Sequence, residues 1–132
     1  GQQLVNILEG GRLIQDLGEE KNQVHRKLEA DKKHPIQIAA SSLLHSISGV
    51  ESGEVNSAHH QCIDPLFLPT SLKAVAFSED QTIEAIEYSD ATNMGFMLCV
   101  QWHPERMEKK ETNPLSINIK KAFLDAINNS VK

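Results

Sequence analysis

Cysteine is scarce in this sequence of 132 residues, which contains only Cys62 and Cys99. Two cysteines with no Cys-x-x-Cys pair make no disulfide framework, so the sequence indicates a reducing compartment and we expect a cytoplasmic protein. Basic residues are in the minority, because 13 lysines and arginines against 18 aspartates and glutamates give a formal net charge of −5. This balance argues against a general surface for nucleic acid or for an anionic membrane.

Long hydrophobic runs are also missing. No stretch reaches the length that a bilayer-spanning helix needs, and no secretory leader is evident. A hydrophobic content of 39% and a charged content of 23% are those of an ordinary globular chain, and the length allows at most one domain with a real core. Because the helical pattern is already present at the first residues, we expect residues 1–132 to form a single partial domain of a longer protein.

Hydrophobic periodicity predicts alternating helices and strands, which is typical of an α/β fold. A short helix is predicted over residues 1–9, ended by Gly10 and Gly11. The final helix is predicted to begin at Asn113 and Pro114, which suit the cap and the first position. Its apolar residues should form one buried stripe of Leu115, Ile119, Ala122, Phe123, Ala126 and Ile127. Strands are predicted over residues 34–39, 54–57, 73–77, 82–88 and 95–101, with 73–77 and 82–88 as a hairpin.

The segment over residues 18–33 carries nine charged side chains of mixed sign. Mixed charge favours a solvated surface over a binding patch. We interpret the segment as an exposed, partly helical excursion that carries little functional information.

The sequence QWHPE at residues 101–105 carries the strongest functional signal. It follows an apolar run over residues 95–100 that predicts a buried strand. Side chains two residues apart on an extended segment point to the same side, and Pro104 stiffens the backbone between His103 and Glu105. A carboxylate beside an imidazole fixes its tautomer, as a general base requires. Taken alone, the pattern favours a strand-end histidine followed by a solvated loop acid over a catalytic pair.

A second cluster, NSAHHQC at residues 56–62, suggests a zinc site at first sight. Adjacent ligands such as His59 and His60 point apart in an extended chain, however, and no second ligand pair follows at metal-site spacing. The sequence therefore favours a polar loop beside a cleft and predicts no metal site. Neither cysteine makes a convincing nucleophile, since Cys99 lies in an apolar strand and Cys62 lies on no strand-to-helix turn.

Four stretches resemble, in the expected order, the class I glutamine amidotransferase-like family. In particular they resemble its peptidase C26 branch, which contains γ-glutamyl hydrolases and γ-glutamyl-γ-aminobutyrate hydrolases. VQWHPE at residues 100–105 is similar to the family's C-terminal signature, and VNSAHHQ at residues 55–61 to its VNS-x-H-x-Q stretch. Residues 81–87 resemble its DG-x-IEAIE hairpin, with Gln81 in place of the usual glycine. Residues 1–11 resemble the tail of C-R-G-x-Q-x-x-N-x-x-x-GG.

The resemblance implies the C-terminal part of a flavodoxin-like α/β domain of the class I glutamine amidotransferase type. It makes His103 the catalytic base and Glu105 its orienting acid. By the same match Gln3 lines the glutamine or γ-glutamyl pocket, and Ser57 and His59 border it. The family's nucleophilic cysteine would fall two residues before Gly1, whereas Cys62 and Cys99 match positions that usually hold small residues.

The implied chemistry is hydrolysis of a γ-glutamyl amide through a cysteine thioester, with no cofactor and no metal. The implied partners are a small γ-glutamyl substrate or glutamine and the remaining N-terminal part of the same protein. On this interpretation the chain alone is inactive. Two alternatives stay open: a glutaminase subunit that supplies ammonia to a synthetase partner, and a non-catalytic relative that acts as a binding module. A homo-oligomer is also compatible with the sequence.

Overall fold

The computed structural model describes residues 1–25 and 31–130. Within these residues the chain forms helices and strands in an α/β arrangement. The helices are α1 Gln2–Leu8, α2 Glu19–His25, α3 Leu43–Ser48 and α4 Pro114–Ser130. The strands are β1 Leu13–Ile14, β2 Lys32–Ile38, β3 Ser52–Ser57, β4 Cys62–Ile63, β5 Leu72–Ser78, β6 Ile83–Tyr88 and β7 Leu98–Val100. Two short 3₁₀ helices cover Pro65–Phe67 and Pro104–Arg106.

Five of the strands form one sheet in the order β3-β2-β5-β6-β7, and every neighbouring pair is antiparallel. The remaining strands, β1 and β4, pair as a small antiparallel ribbon. The predicted hairpin is confirmed, since β5 and β6 are neighbours joined by a tight turn. The QWHPE sequence follows directly after β7, which is one edge strand of the sheet.

The turn between β5 and β6 contains a residue in the left-handed region of backbone space. Gln81 has φ +66°, and its N–H donates to the carbonyl of Ser78 at 3.0 Å. This conformation strains residues that carry a Cβ atom and suits glycine. A glycine at position 81 would adopt this backbone geometry without that strain.

Two apolar clusters fill the space on the two faces of the sheet. The first joins the sheet to α3 and α4 and consists of Ile36, Ile38, Leu44, Val55, Val75, Ala76, Ala85, Trp102, Met107 and Leu115. The second consists of Ile63, Leu72, Ile83 and Ile86, against which Val5 of α1 and Leu13 of β1 pack. The sheet is therefore covered by α3 and α4 on one face and by α1 with the β1–β4 ribbon on the other.

Helix α1 ends where the sequence predicted. Gly10 has φ +98°, and the Gly11 N–H donates to the carbonyl of Asn6 at 2.8 Å. A Cβ atom at position 11 would lie 2.2 Å from Asn6 Oδ1, so only glycine fits there. The second glycine lets the buried Asn6 side chain donate to the carbonyl of Arg12 at 3.0 Å, which directs the chain into β1.

The prediction of one continuous buried stripe on α4 is wrong for the second half of the helix. Leu115 is buried, but Phe123 is 53% exposed and Ile127 is 42% exposed. The physical reason is length, because α4 has 17 residues and its neighbour α3 has six. At 1.5 Å per residue α3 can cover only about the first third of α4.

Two other predictions also need correction. The segment over residues 18–33 is not wholly exposed, because α2 ends in the fully buried His25 and β2 begins at Lys32. The part of that segment over residues 26–30 lies outside the described residues. The apolar strand predicted over residues 95–101 is shorter, at Leu98–Val100, and half-buried, since it forms a sheet edge with only β6 beside it. None of the described helices has the length and apolar character that crossing a membrane requires.

Candidate active site

The His103 and Glu105 side chains form a hydrogen-bonded pair. His103 Nδ1 lies 3.0 Å from Glu105 Oε1, and the side chains are 41% and 68% exposed. Because the carboxylate accepts a hydrogen bond from the Nδ1–H, the neutral ring keeps its lone pair on Nε2. The pair thus offers a base nitrogen oriented by an acid, on a surface that other groups can reach.

The pKa of Glu105 lies below its ordinary value. Partial burial raises that pKa, but hydrogen bonds from the Glu105 backbone N–H and from His103 lower it by more. The carboxylate is therefore charged at neutral pH, as an acid that orients and stabilises an imidazolium should be.

Asn56 holds the backbone of His103 from both sides. Its Oδ1 accepts the His103 N–H at 3.0 Å, and its Nδ2 donates to the His103 carbonyl at 3.0 Å. The same Nδ2 donates to Asp31 Oδ2 at 3.1 Å, and Asp31 accepts a bidentate pair of hydrogen bonds from Arg106 at 3.0 and 2.8 Å. A buried amide at the end of β3 thus fixes the position of the candidate base.

The residues on both sides of His103 are held by hydrogen bonds to α4. Trp102 is buried in the first apolar cluster, and its Nε1 donates to the Leu115 carbonyl of α4 at 3.2 Å. The carbonyl of Pro104 accepts from Ser116 Oγ at 2.8 Å. These contacts make the His103 turn a rigid part of the fold.

Helix α1 is tied to the same motif through Gln101. Gln101 Oε1 accepts from Gln2 Nε2 at 3.1 Å and from Gln3 Nε2 at 3.4 Å. Gln3 Nε2 also donates to the Gln61 carbonyl at 3.1 Å. These hydrogen bonds of the glutamine side chains therefore hold the start of α1, the loop before β4 and the His103 turn next to one another.

These three segments surround a cavity of about 650 Å³. Gln3, His59 and His103, all predicted site residues, lie in its wall, as do Gly1 and Gln101. Ser57 lies outside that wall and is buried, with its Oγ donating to the His25 carbonyl at 2.8 Å. The substrate-binding roles of Gln3, Ser57 and His59 stay predictions.

The two cysteines have the properties of packed thiols. Burial raises the pKa of Cys62 to about 11, and burial also raises the pKa of Cys99. Neither residue lines the cavity beside His103. Because the thiolate is the reactive form, neither cysteine is prepared for nucleophilic chemistry.

Sequence reasoning did not single out Asn56 or Gln101 as positioning residues. Asn56 is a buried polar residue at the end of a strand, which is a signal for a specific hydrogen-bonding role. Sequence reasoning also missed a buried polar cluster behind the cavity, which is formed by His25, His34, His59 and Glu84. The available signal was Glu84, a carboxylate between the apolar residues Ile83 and Ala85 near the start of β6.

The fold is that of class I glutamine amidotransferase domains. A glutamine amidotransferase from Thermotoga maritima superposes on 98% of this chain and 46% of its own, with a TM-score of 0.58 and 13% identity. The glutaminase domain of Trypanosoma brucei CTPS, solved with bound acivicin, superposes on 75% of this chain and 39% of its own, with a TM-score of 0.56 and 19% identity. These likenesses confirm the predicted fold class.

The chain belongs to the Peptidase C26 family, whose profile matches residues 1–105. It is 38% identical over 110 residues to the protein NtpR of Enterococcus hirae, covering 80% of this chain and 44% of NtpR. It is also 38% identical over 109 residues to the glutamine amidotransferase-like protein YvdE of Lactococcus lactis subsp. lactis, covering 80% of this chain and 43% of YvdE. The chain thus spans less than half the length of these relatives, and the predicted family is confirmed.

Proposed function

We propose that this chain carries the acid–base half of the active site of a cysteine-dependent γ-glutamyl hydrolase. The observation that carries the proposal is the 3.0 Å contact between His103 Nδ1 and Glu105 Oε1, with His103 itself in the wall of a cavity that Gln3 also lines. Membership of the Peptidase C26 family supports the same chemistry.

In this mechanism a thiolate attacks the γ-carbonyl of the substrate and forms a thioester with loss of the amine. His103 accepts the thiol proton and returns a proton to the leaving amine. Glu105 holds His103 in the tautomer with Nε2 free and stabilises the imidazolium. Water then hydrolyses the thioester with His103 again as the base.

The nucleophile is proposed to come from the remaining N-terminal part of the same protein, close to Gly1 at the cavity wall. Two exposed surfaces support the proposal that these residues form only part of a domain. Helix α1 exposes three large apolar side chains, Leu4, Ile7 and Leu8. Strand β7 has an open edge among the described strands, and sheet edges usually pair or are covered.

The test is a hydrolysis screen of the complete protein with glutamine, γ-glutamyl-aminobutyrate and folate polyglutamates. His103→Ala should lower kcat by about 10⁴-fold or more, as loss of a triad base does. Glu105→Gln should lower it by roughly 10²- to 10⁴-fold. The matched control is His45→Ala on α3, outside the cavity wall, which should keep full activity. An active, folded His103→Ala protein would contradict the proposed role.

A second candidate is a glutaminase that supplies ammonia to a synthetase partner. It is favoured by the solved structures of similar fold, which include a GMP synthase subunit protein of Thermoplasma acidophilum. Efficient hydrolysis by the purified protein alone would favour the hydrolase, and dependence on a co-purifying synthetase would favour the glutaminase. Absence of cysteine two residues before Gly1 would instead favour a non-catalytic binding module.

The chain of 132 residues by itself is proposed to be inactive. The raised pKa values of Cys62 and Cys99 support this, since neither thiol is in its reactive form at neutral pH. Incubation with an electrophilic glutamine analogue, followed by peptide mass spectrometry, should give no adduct on either cysteine. An adduct on Cys62 or Cys99 would contradict the proposal.

A further inference from the structure

Three histidines converge on one buried carboxylate behind the wall of the cavity. His25 Nδ1, His34 Nε2 and His59 Nε2 lie 3.4, 3.5 and 3.4 Å from Glu84 Oε1. All four side chains are buried, and one ligand atom from each lies within 4.8 Å of the others. The residues come from α2, β2, β6 and the loop after β3, so only the tertiary structure brings them together.

The far nitrogen of each histidine ring faces an oxygen acceptor. His25 Nε2 lies 2.8 Å from Asp80 Oδ2, and His34 Nδ1 lies 3.1 Å from the Pro35 carbonyl. His59 Nδ1 lies 2.9 Å from the Gln61 carbonyl. These acceptors place the proton of each neutral ring on its far nitrogen, so the near nitrogens direct lone pairs toward Glu84. Such outer hydrogen bonds are the usual support of metal-ligating histidines.

Glu84 is fully buried, and neither of its carboxylate oxygens has a hydrogen-bond partner among the described residues. The near nitrogens of His34 and His59 are also without one there. Removing a carboxylate from water without a compensating partner is strongly unfavourable. The carboxylate and the lone pairs that converge on it therefore require positive charge. That charge is supplied either by added protons or by a bound metal ion.

Three of the six separations among the donor atoms match a metal ion, and the other three, between the histidine nitrogens, are no longer than 4.8 Å. In a tetrahedral site with metal–ligand distances of about 2.0–2.1 Å, the ligand atoms are about 3.3–3.4 Å apart. The three separations between histidine nitrogens and Glu84 Oε1 are 3.4–3.5 Å. Imidazole nitrogen with one carboxylate is a donor set that suits zinc and its transition-metal neighbours.

We propose that His25, His34, His59 and Glu84 form a closed binding site for one divalent transition-metal ion, with Zn²⁺ as the preferred occupant. The site has a structural role. It joins α2 to the sheet through His25 and fixes the ring of His59, which also lies in the cavity wall. This differs from the zinc cluster considered from the sequence, since His60 is exposed and Cys62 offers no ligand atom to this group.

The test measures metal content and stability in the complete protein, prepared without an affinity tag. Elemental analysis after dialysis should give about one equivalent of metal per chain. After removal by a chelator, Zn²⁺ should raise the thermal midpoint, because an ion that binds only the folded state stabilises it. Co²⁺ should bind with the intense visible bands of a tetrahedral site.

Glu84→Gln and His34→Ala should each lower the Zn²⁺ affinity by at least 10-fold, and His60→Ala is the matched control that should keep it. If a ligand variant does not fold, the Co²⁺ spectrum and chelator response of the unaltered protein still decide the question. A protein that neither retains nor takes up Zn²⁺ or Co²⁺, with a thermal midpoint that neither metal nor chelator changes, would overturn the proposal and leave protonated histidines as the source of charge.

Discussion

Replacing Asn56 by Ala removes the side chain that positions the candidate base. Asn56 is buried and makes three hydrogen bonds, to the N–H and the carbonyl of His103 at 3.0 Å each and to Asp31 at 3.1 Å. The His103 carbonyl keeps its bond from the Arg106 N–H at 3.0 Å. The His103 N–H loses its Asn56 acceptor, so the substitution affects this group most.

The expected loss of stability follows from these bonds. An orphaned, partly buried N–H costs about 1–3 kcal/mol, and each of the other two bonds contributes about 0.5–1.5 kcal/mol. We therefore expect Asn56→Ala to lower the free energy of unfolding by about 2–6 kcal/mol. Because the His103 backbone is no longer held from both sides, kcat should fall by about 10-fold or more while KM changes little.

The assay is urea unfolding followed by circular dichroism, together with hydrolysis kinetics on the complete protein. The control is Asn118→Ala, which removes an α4 amide that donates to the carbonyls of Ile47 and Ser48 at 3.3 Å, away from His103. This control should lose about 1 kcal/mol or less and keep its kcat. If Asn56→Ala unfolds within about 0.5 kcal/mol of the unaltered protein and keeps full activity, the positioning role is refuted.

Three further predictions concern single positions. Gln81→Gly should raise the free energy of unfolding by up to about 1 kcal/mol, because it relieves the strain of φ +66° at the hairpin turn. Ser116→Ala should lower it by about 1 kcal/mol, because the Pro104 carbonyl loses its 2.8 Å bond. In the folded protein at pH 8, Cys62 should react with iodoacetamide about 100-fold more slowly than an ordinary thiol, because its pKa is about 11 and not 9.0. Its reaction rate should then increase about tenfold per pH unit up to that pKa.

Each of these predictions has a direct check. Gln81→Ala keeps the positive φ and should give no gain in thermal midpoint, so equal gains for Ala and Gly would contradict the strain argument. A Ser116→Ala protein with unchanged denaturation would show that the Pro104 contact adds nothing. Peptide mass spectrometry with and without urea measures Cys62 labelling, and fast labelling without urea would contradict the assigned burial.

Local sequence signals predicted much of the fold because they act over a few residues. Gly10 and Gly11 end α1 as expected, and Asn113 begins α4 with its Oδ1 accepting the Leu115 N–H at 2.9 Å. The β5–β6 hairpin followed from two alternating strands and a polar turn. Exposure of the second half of α4 could not be predicted in this way, because it depends on the short length of α3.

The pair of His103 and Glu105 could be predicted from the order of residues alone, because Pro104 and a spacing of two residues fix their relation locally. The family could be predicted in the same way, through motifs that need no three-dimensional information. The surroundings of that pair became evident only in the folded chain: Asn56 from β3, Gln3 from α1 and Ser116 from α4. The same holds for His25, His34, His59 and Glu84, which lie 9 to 59 positions apart in the sequence. Chain folding, and not residue spacing, brings such groups together, so their chemistry is visible only once the sheet has formed.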